Sequence, residues 1–284
     1  MKTCHVCYCV DEGFEKYVIA SMISLILNSK IKPKIHIIHN KLTDKKKLRF
    51  VEKRFKTRFK YYIVNDSKFY GLPVLGGYSV YYRLLIPELL SKKIKKVLYL
   101  DCDTLVENDL SKLFSIDLSK KALAAAENIT KLKTDTKTLK KRLKIPINKG
   151  YFNSGVMLLN LDYFRKHDSS NKVISFMKKN VKKIIMHDQD GLNAVLKNDW
   201  IKIPTSYNYI LNFNLSSLKN INPHIVHFAG LKPQMFNILN PGNIYCKKYY
   251  KYLSMTPLPK EEIEKKDTIN YMKRLYDAFL RRFH

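Results

Sequence analysis

The sequence predicts an α/β protein with a mainly parallel central sheet flanked by helices. Short apolar runs of strand length alternate with segments whose apolar residues recur at helical spacing. One such run, "KKVLYL", ends directly on two aspartates, Asp101 and Asp103. In sheets of this kind ligands bind outside the carboxyl ends of the strands.

Thr3 to Val10 reads as a short buried strand, and Tyr17 to Leu27 as the helix that follows it. "KIHIIHN" is a second strand, Lys45 to Phe55 a basic amphipathic helix, and "FKYYIVN" a third strand. "GLPVLGGYSVYYRLLIPELL" holds a glycine-rich turn and then a helix from Ser79 that ends near Pro87 or shortly after it. "KKVLYLD" is the fourth strand and "KALAAAEN" another. Lys131 to Lys149 reads as a basic, weakly structured loop or lid. "NSGVMLLNLDYFR" is a strand running into a turn, "DQDGLNAVL" opens a helix, and "PHIVHFAG" is a late strand closing on a histidine and a glycine. The prolines from Pro257 mark a boundary, which divides the chain into a domain over 1–256 and a tail over 257–284. The tail places Ile269, Met272, Leu275, Tyr276, Phe279 and Leu280 on one face of a basic helix, suited to an anionic membrane surface or to packing on the core.

The net charge is +29, from 53 Lys and Arg against 24 Asp and Glu, which favours phosphate-rich partners such as nucleotide, anionic lipid or nucleic acid. An AT-rich genome, which favours lysine, accounts for 53 scattered basic residues almost as well. The five cysteines are odd in number and form no paired C-x-x-C framework, so they read as reduced thiols. The N-terminus lacks the apolar stretch of a signal peptide and no window is long and apolar enough to cross a bilayer, which points to the cytoplasm.

Ionised carboxylates after a buried strand are costly to desolvate without a partner. Alternation along an extended backbone puts Asp101 and Asp103 on one side, where two hard oxygen donors suit a divalent ion that also binds a diphosphate. A bare D-x-D is also common in surface turns. His227, at the end of its strand, is the natural third ligand, although a lone histidine after an apolar run is more often a satisfied core residue. Gly230 would let backbone approach a phosphate and Lys232 would offset diphosphate charge.

"YLDCDTLV", "YFNSGVMLLNLDYFR", "HDQDGLNAVL" and "HFAGLKP", in this order, resemble the family 8 retaining glycosyltransferases, which include bacterial lipopolysaccharide galactosyl- and glucosyltransferases and glycogenin. The resemblance spans about residues 3 to 235. It implies a GT-A type fold and transfer of glucose or galactose, with retention, from UDP-glucose or UDP-galactose to a saccharide or glycolipid acceptor such as a lipopolysaccharide core. It further implies Mn²⁺, or Mg²⁺ in its place, on Asp101, Asp103 and His227, and no nucleic acid partner.

By the same resemblance Asp11 matches a uracil-contacting position and Arg83 an arginine beside the donor diphosphate. Asn153 and Asp188 match residues that hold donor-sugar hydroxyls, and Gln189 the residue nearest the reacting face of the sugar. Read without it, Asp11 and Asp188 are helix caps, Asn153 a turn residue and Arg83 a solvated arginine. The chain departs from the family at Gly13, where Asn is frequent, and in the final loop, which is one residue shorter and carries Gln234 in place of Trp. Glu127 is the weaker choice for an acidic position expected in "LAAAEN". Two other classes fit part of the pattern. One is a metal-dependent nuclease or phosphotransferase using Asp101, Asp103 and Asp188; the other is a non-catalytic nucleotide-sugar-binding protein. A peripheral position at the cytoplasmic face of a membrane, held by the basic tail, would suit a phosphate-bearing acceptor.

Overall fold

A computed structural model of the chain describes residues 3–11, 14–41, 45–74, 77–128, 136–211, 222–230, 232–233 and 242–257. The helix expected in the tail, Gly13 and Gln234 lie outside the described residues.

The expected α/β architecture is present. A seven-stranded sheet runs in the order β3-β2-β1-β4-β7-β6-β8. Its strands are β1 (Thr3–Cys9), β2 (Lys32–His39), β3 (Phe59–Ile63), β4 (Lys96–Leu100), β6 (Leu123–Glu127), β7 (Phe152–Asn160) and β8 (Trp200–Ile203). A three-stranded sheet runs β5 (Thr104–Val106), β10 (Ile225–His227), β9 (Tyr209–Ile210). Both faces of the large sheet are covered. Val6, Tyr8 and Val10 join one core cluster, while Cys7 and Cys9 join the other, which is why Val6 to Val10 reads as an unbroken apolar run.

Helix α1 (Glu15–Asn28) buries Tyr17 through Leu25 against the first of these cores. Helix α2 (Lys46–Arg54) buries only Leu48 and Val51 and leaves its basic face outward. The chain lays β2 and then β3 outward on one side of β1 and returns to pair β4 on the other, all parallel. The sheet's switch in strand order therefore falls between β1 and β4, the place where such sheets open a crevice at the carboxyl ends of their strands.

Strand β7 is the one that positions the site. It pairs antiparallel with both β4 and β6, so its amino end lies beside the carboxyl end of β4. Leu100 faces Val156, and the Asp101 N–H donates to the Gly155 carbonyl at 2.7 Å. The "FNSG" segment is thereby laid against the aspartates. The small sheet adds the third side, with His227 opposite Thr104 in the antiparallel β5–β10 pair.

The structure corrects four local expectations. The helix from Ser79 is a 3₁₀ helix, Tyr78–Leu85, and turns α-helical only in α3 (Ile86–Leu89), where Pro87 sits in the first turn and needs no donor partner. Within the supposed loop of 131–149, Thr136–Arg142 forms α5. Strand β7 runs into α6 (Leu161–Lys166) and not a turn, because the Asn160 side chain accepts the Tyr163 N–H at 3.0 Å as a cap. Asp101 and Asp103 sit in a turn between β4 and β5, not on an extended strand. Elements α4 (Ser111–Phe114), α7 (Ser169–Lys179), β5, β8, β9 and α9 (Ile244–Leu253) carried no expectation, while α8 (Asp188–Val195) begins where the sequence placed it.

Arg165 holds the α3 region in place. Its guanidinium donates to the carbonyls of Pro87 (2.8 Å), Leu90 (2.8 Å), Ser91 (3.2 Å) and Ile94 (3.0 Å). Arg165→Ala strands those carbonyls and is expected to lower unfolding free energy by about 1–3 kcal/mol, read by urea titration. Lys at the same position, lacking the planar fork, recovers only part of the loss.

Candidate active site

At the head of the crevice Asp101, Asp103 and His227 each present a donor atom, and these atoms lie within 4.8 Å of one another. Nε2 of His227 is 3.3 Å from Asp103 Oδ1 and 3.5 Å from Asp101 Oδ2. The outer carboxylate oxygens are held by cations. Arg83 Nη2 meets Asp101 Oδ1 at 3.0 Å, and Lys232 pairs with Asp103 Oδ2. The Tyr99 hydroxyl donates to Asp101 Oδ1 at 2.6 Å. Asp103 and His227 are buried, whereas Asp101 keeps about a quarter of its side-chain surface open.

Burial alone would suppress both aspartate charges, yet the surrounding cations prevail. Lys232 and His227 hold the Asp103 carboxyl well below its usual range, and Arg83 and His227 lower that of Asp101. Burial likewise opposes a charged imidazole, but Asp103 and Asp101 outweigh it and raise His227 to about 9. The set fits a divalent ion chemically: two hard carboxylates and one imidazole, with the Nε2 face turned toward both carboxylates. An ion would have to displace the proton that His227 carries at neutral pH.

Arg83 is the centre of the second layer. Its guanidinium is buried, lies 4.3 Å above the Tyr99 ring, donates from Nη1 to the Ser154 carbonyl at 2.7 Å, and faces Asp188 Oδ2 from Nε at 3.2 Å. Burial raises the Asp188 carboxyl to about 6, Arg83 offsetting only part of that and Asp101 adding to it. Asp188 begins α8 after His187, whose φ of +50° is uncommon for a residue other than glycine and turns the helix start inward. Gln189 is clamped at both ends of its amide, accepting the Ser154 N–H at 3.1 Å and donating to the Tyr151 hydroxyl at 3.3 Å.

Asn153 Oδ1 accepts from the Gly155 N–H and from Asn208 Nδ2, each at 2.9 Å. Asp11 accepts the Ser79 hydroxyl at 2.7 Å and does not cap α1, whose N-cap is Phe14. Gly230 has φ +86°, a conformation that favours glycine, and precedes the Lys232 loop. Glu127 is drawn away, toward Lys202 on β8 at 2.5 Å.

The chain thus gathers Arg83, Asp101, Asp103, Asn153, Asp188, Gln189, His227 and Lys232 into one connected constellation. A nuclease arrangement with Asp188 as a third metal carboxylate does not match it, because Asp188 pairs with Arg83 and the third donor is His227. Gly155 and Asn208 carried no expectation. A Cβ on Gly155 would lie 2.2 Å from His227 Cε1 and 2.6 Å from Asp101 Oδ2, so only glycine leaves room for the cluster. A glycine inside the buried strand "NSGVMLL" is a readable sign of close approach. Asn208 in "TSYNYI" gives no such sign.

The α/β architecture with its mostly parallel central sheet is that of the GT-A fold. Residues 5–233 match the model of glycosyl transferase family 8, and the chain belongs to that family and is a glycosyltransferase. It is 29% identical over 277 residues to General stress protein A of Bacillus subtilis (strain 168), covering 89% of this chain and 93% of that one. It is 27% identical over 300 residues to the lipopolysaccharide 1,2-glucosyltransferase of Escherichia coli (strain K12), covering 99% and 86%. The solved structure of the galactosyltransferase LgtC with donor and acceptor sugar analogs superposes with a TM-score of 0.79 at 20% identity, covering 90% of this chain and 98% of that one, a likeness of fold.

Gly155→Ala is expected to weaken Mn²⁺ binding about 10- to 100-fold with little loss of secondary structure, read by electron paramagnetic resonance titration and circular dichroism. Without metal, the raised His227 stabilises the fold below its unfolded value of 6.5 and loses that contribution as pH climbs through about 9. Calorimetry in buffers of different ionisation enthalpy should therefore show proton release on Mn²⁺ binding within that window, abolished in His227→Gln.

Proposed function

We propose that this glycosyltransferase moves glucose or galactose from a UDP-sugar to a saccharide acceptor, with a divalent ion and with retention at the anomeric carbon. The observation that carries the reading is the convergence of Asp101, Asp103 and His227 with Arg83 and Lys232 at the sheet's switch point. Support for the hexose comes from relatives, the Escherichia coli glucosyltransferase and a lipopolysaccharide 1,3-galactosyltransferase of Salmonella typhimurium that is 26% identical over 240 residues.

Asp101, Asp103 and His227 would hold Mn²⁺, or Mg²⁺ in its place, which when bound supplies Lewis-acid stabilisation to the departing diphosphate. Arg83 and Lys232 already stand on the outer oxygens of the two aspartates, so their positive charge is in place for the charge that grows as UDP leaves. Gly230 would let the loop backbone approach the phosphates, and Asp11 would meet the uracil. Asn153 and Asp188 would hold sugar hydroxyls. Burial raises the Asp188 carboxyl to about 6 and Arg83 offsets part of that, so at neutral pH the carboxyl is mainly ionised and can accept hydrogen bonds from hydroxyls. Gln189, fixed at both ends of its amide, would stand beside the reacting face of the sugar.

For the acceptor we favour a lipopolysaccharide core or another cell-surface glycan. The charge of +29 and the basic sequence of the 257–284 tail support work at the cytoplasmic face of an anionic membrane. No helix among the described residues is long and apolar enough to cross a bilayer.

The test is hydrolysis of a panel of nucleotide sugars without acceptor, with Mn²⁺ and with EDTA. UDP should be released from one hexose donor, only with metal, and Asp103→Ala should lose more than about 10²-fold of that rate. No release from any sugar, with no metal-dependent UDP binding, would sink the reading.

A further inference from the structure

A chain of amides runs from the backbone of β7 to the ring of His227, and the direction of every hydrogen bond in it follows from its first member. The Gly155 N–H can only donate, so the atom it meets at 2.9 Å, Asn153 Oδ1, is an acceptor. The same oxygen lies 2.9 Å from Asn208, which must therefore present its NH₂ there. The other end of the Asn208 amide is then an oxygen, and it lies 2.9 Å from His227 Nδ1. Nδ1 must carry the proton, and Nε2, on the opposite side of the ring, points at Asp101 and Asp103. The far amide of Asn153 is turned toward Asn128 Oδ1 at 3.4 Å.

We infer that Asn208 is a positioning residue that fixes two partners at once: the His227 tautomer that leaves Nε2 for the divalent ion, and the orientation of the Asn153 amide, whose Nδ2 is turned toward Asn128. Asn208 is buried, as are Asn128, Asn153 and His227, so no bulk water competes for these bonds. It enters the site from the 3₁₀ turn Thr205–Asn208 that leads into β9, the strand paired with β10 beside His227. The register of the small sheet thus sets the reach of its amide. The inference rests on the metal-dependent transferase reading above. It adds that metal affinity and donor-sugar recognition share one residue that touches neither ligand.

Two substitutions separate the two partners. Asn208→Ala removes both bonds, and Mn²⁺ affinity measured by electron paramagnetic resonance without nucleotide should fall about 10- to 100-fold, as on loss of the outer-sphere partner of a metal histidine. Asn208→Asp keeps an acceptor for the Nδ1 proton but has no N–H for Asn153. It should bind Mn²⁺ at least as tightly as the unaltered chain while KM for the UDP-sugar rises severalfold and affinity for UDP itself stays the same. A merely structural asparagine would instead give equal losses in both variants, and that result would overturn the inference. So would variants indistinguishable from the unaltered chain.

Long-range ¹H–¹⁵N spectra of the unaltered chain supply a check that no folding defect can obscure. With the imidazole neutral at alkaline pH, His227 should be protonated at Nδ1, and protonation at Nε2 would overturn the assignment. An unaltered chain that binds no Mn²⁺ and releases UDP from no sugar would remove the transferase reading and this inference together. One that does both while its Asn208 variants do the same would remove only the inference.

Discussion

The structure depends on a buried guanidinium that must be matched by carboxylates. Arg83 is buried between the 3₁₀ segment that bears it, the end of β4, the start of β7 and the start of α8, and it has a partner on each: Val80, Asp101, Ser154 and Asp188. An unpaired charge there would cost several kcal/mol, so each of the four segments is constrained to bring its polar atom to the same point. The aspartates at the end of an apolar strand are thereby compensated by the protein's own cations, Arg83, Lys232 and His227. A divalent ion would have to take over part of that compensation, displacing the His227 proton, while Arg83 and Lys232 stay in place for a negatively charged ligand.

The reversal of β7 is the topological step that makes this possible. In an all-parallel sheet the amino end of that strand would lie at the opposite edge from the carboxyl end of β4. Antiparallel pairing on both sides brings Asn153, Ser154 and Gly155 alongside Asp101. The absence of a side chain at Gly155 then sets how closely the imidazole from the small sheet can approach.

Much of this was legible in the sequence, for reasons specific to each part. Buried strands such as "KVLYL" and "VMLL" have to be apolar on both faces, and the aspartates stand out against that background. The four ordered motifs carried the family and, with it, the constellation of Arg83, Asn153, Asp188 and Gln189. What was not legible depends on three-dimensional neighbours. Asn208 has no local pattern, since its partners are contributed by residues 153 and 227. The 3₁₀ segment Tyr78–Leu85 buries five consecutive residues, Tyr81 to Leu85, a pattern that amphipathic helical periodicity does not encode. Helix α5 was read as loop because seven residues dense in Thr, Lys and Arg offer little apolar stripe, yet Leu139 and Leu143 pack into the core and Arg142 binds the buried Asp190 at 3.0 Å.

The turn that carries Asp101 and Asp103 joins the last residue of β4 in the large sheet to the first of β5 in the small one, and His227 belongs to the small sheet alone. The donors therefore straddle a seam. A fluctuation that parts the sheets by an ångström or two would scatter them while every strand kept its ladder and every helix its turns. Such a state would look native to any probe of backbone content and would be inactive, so catalytic competence in this chain measures the closure of one seam before it measures folding.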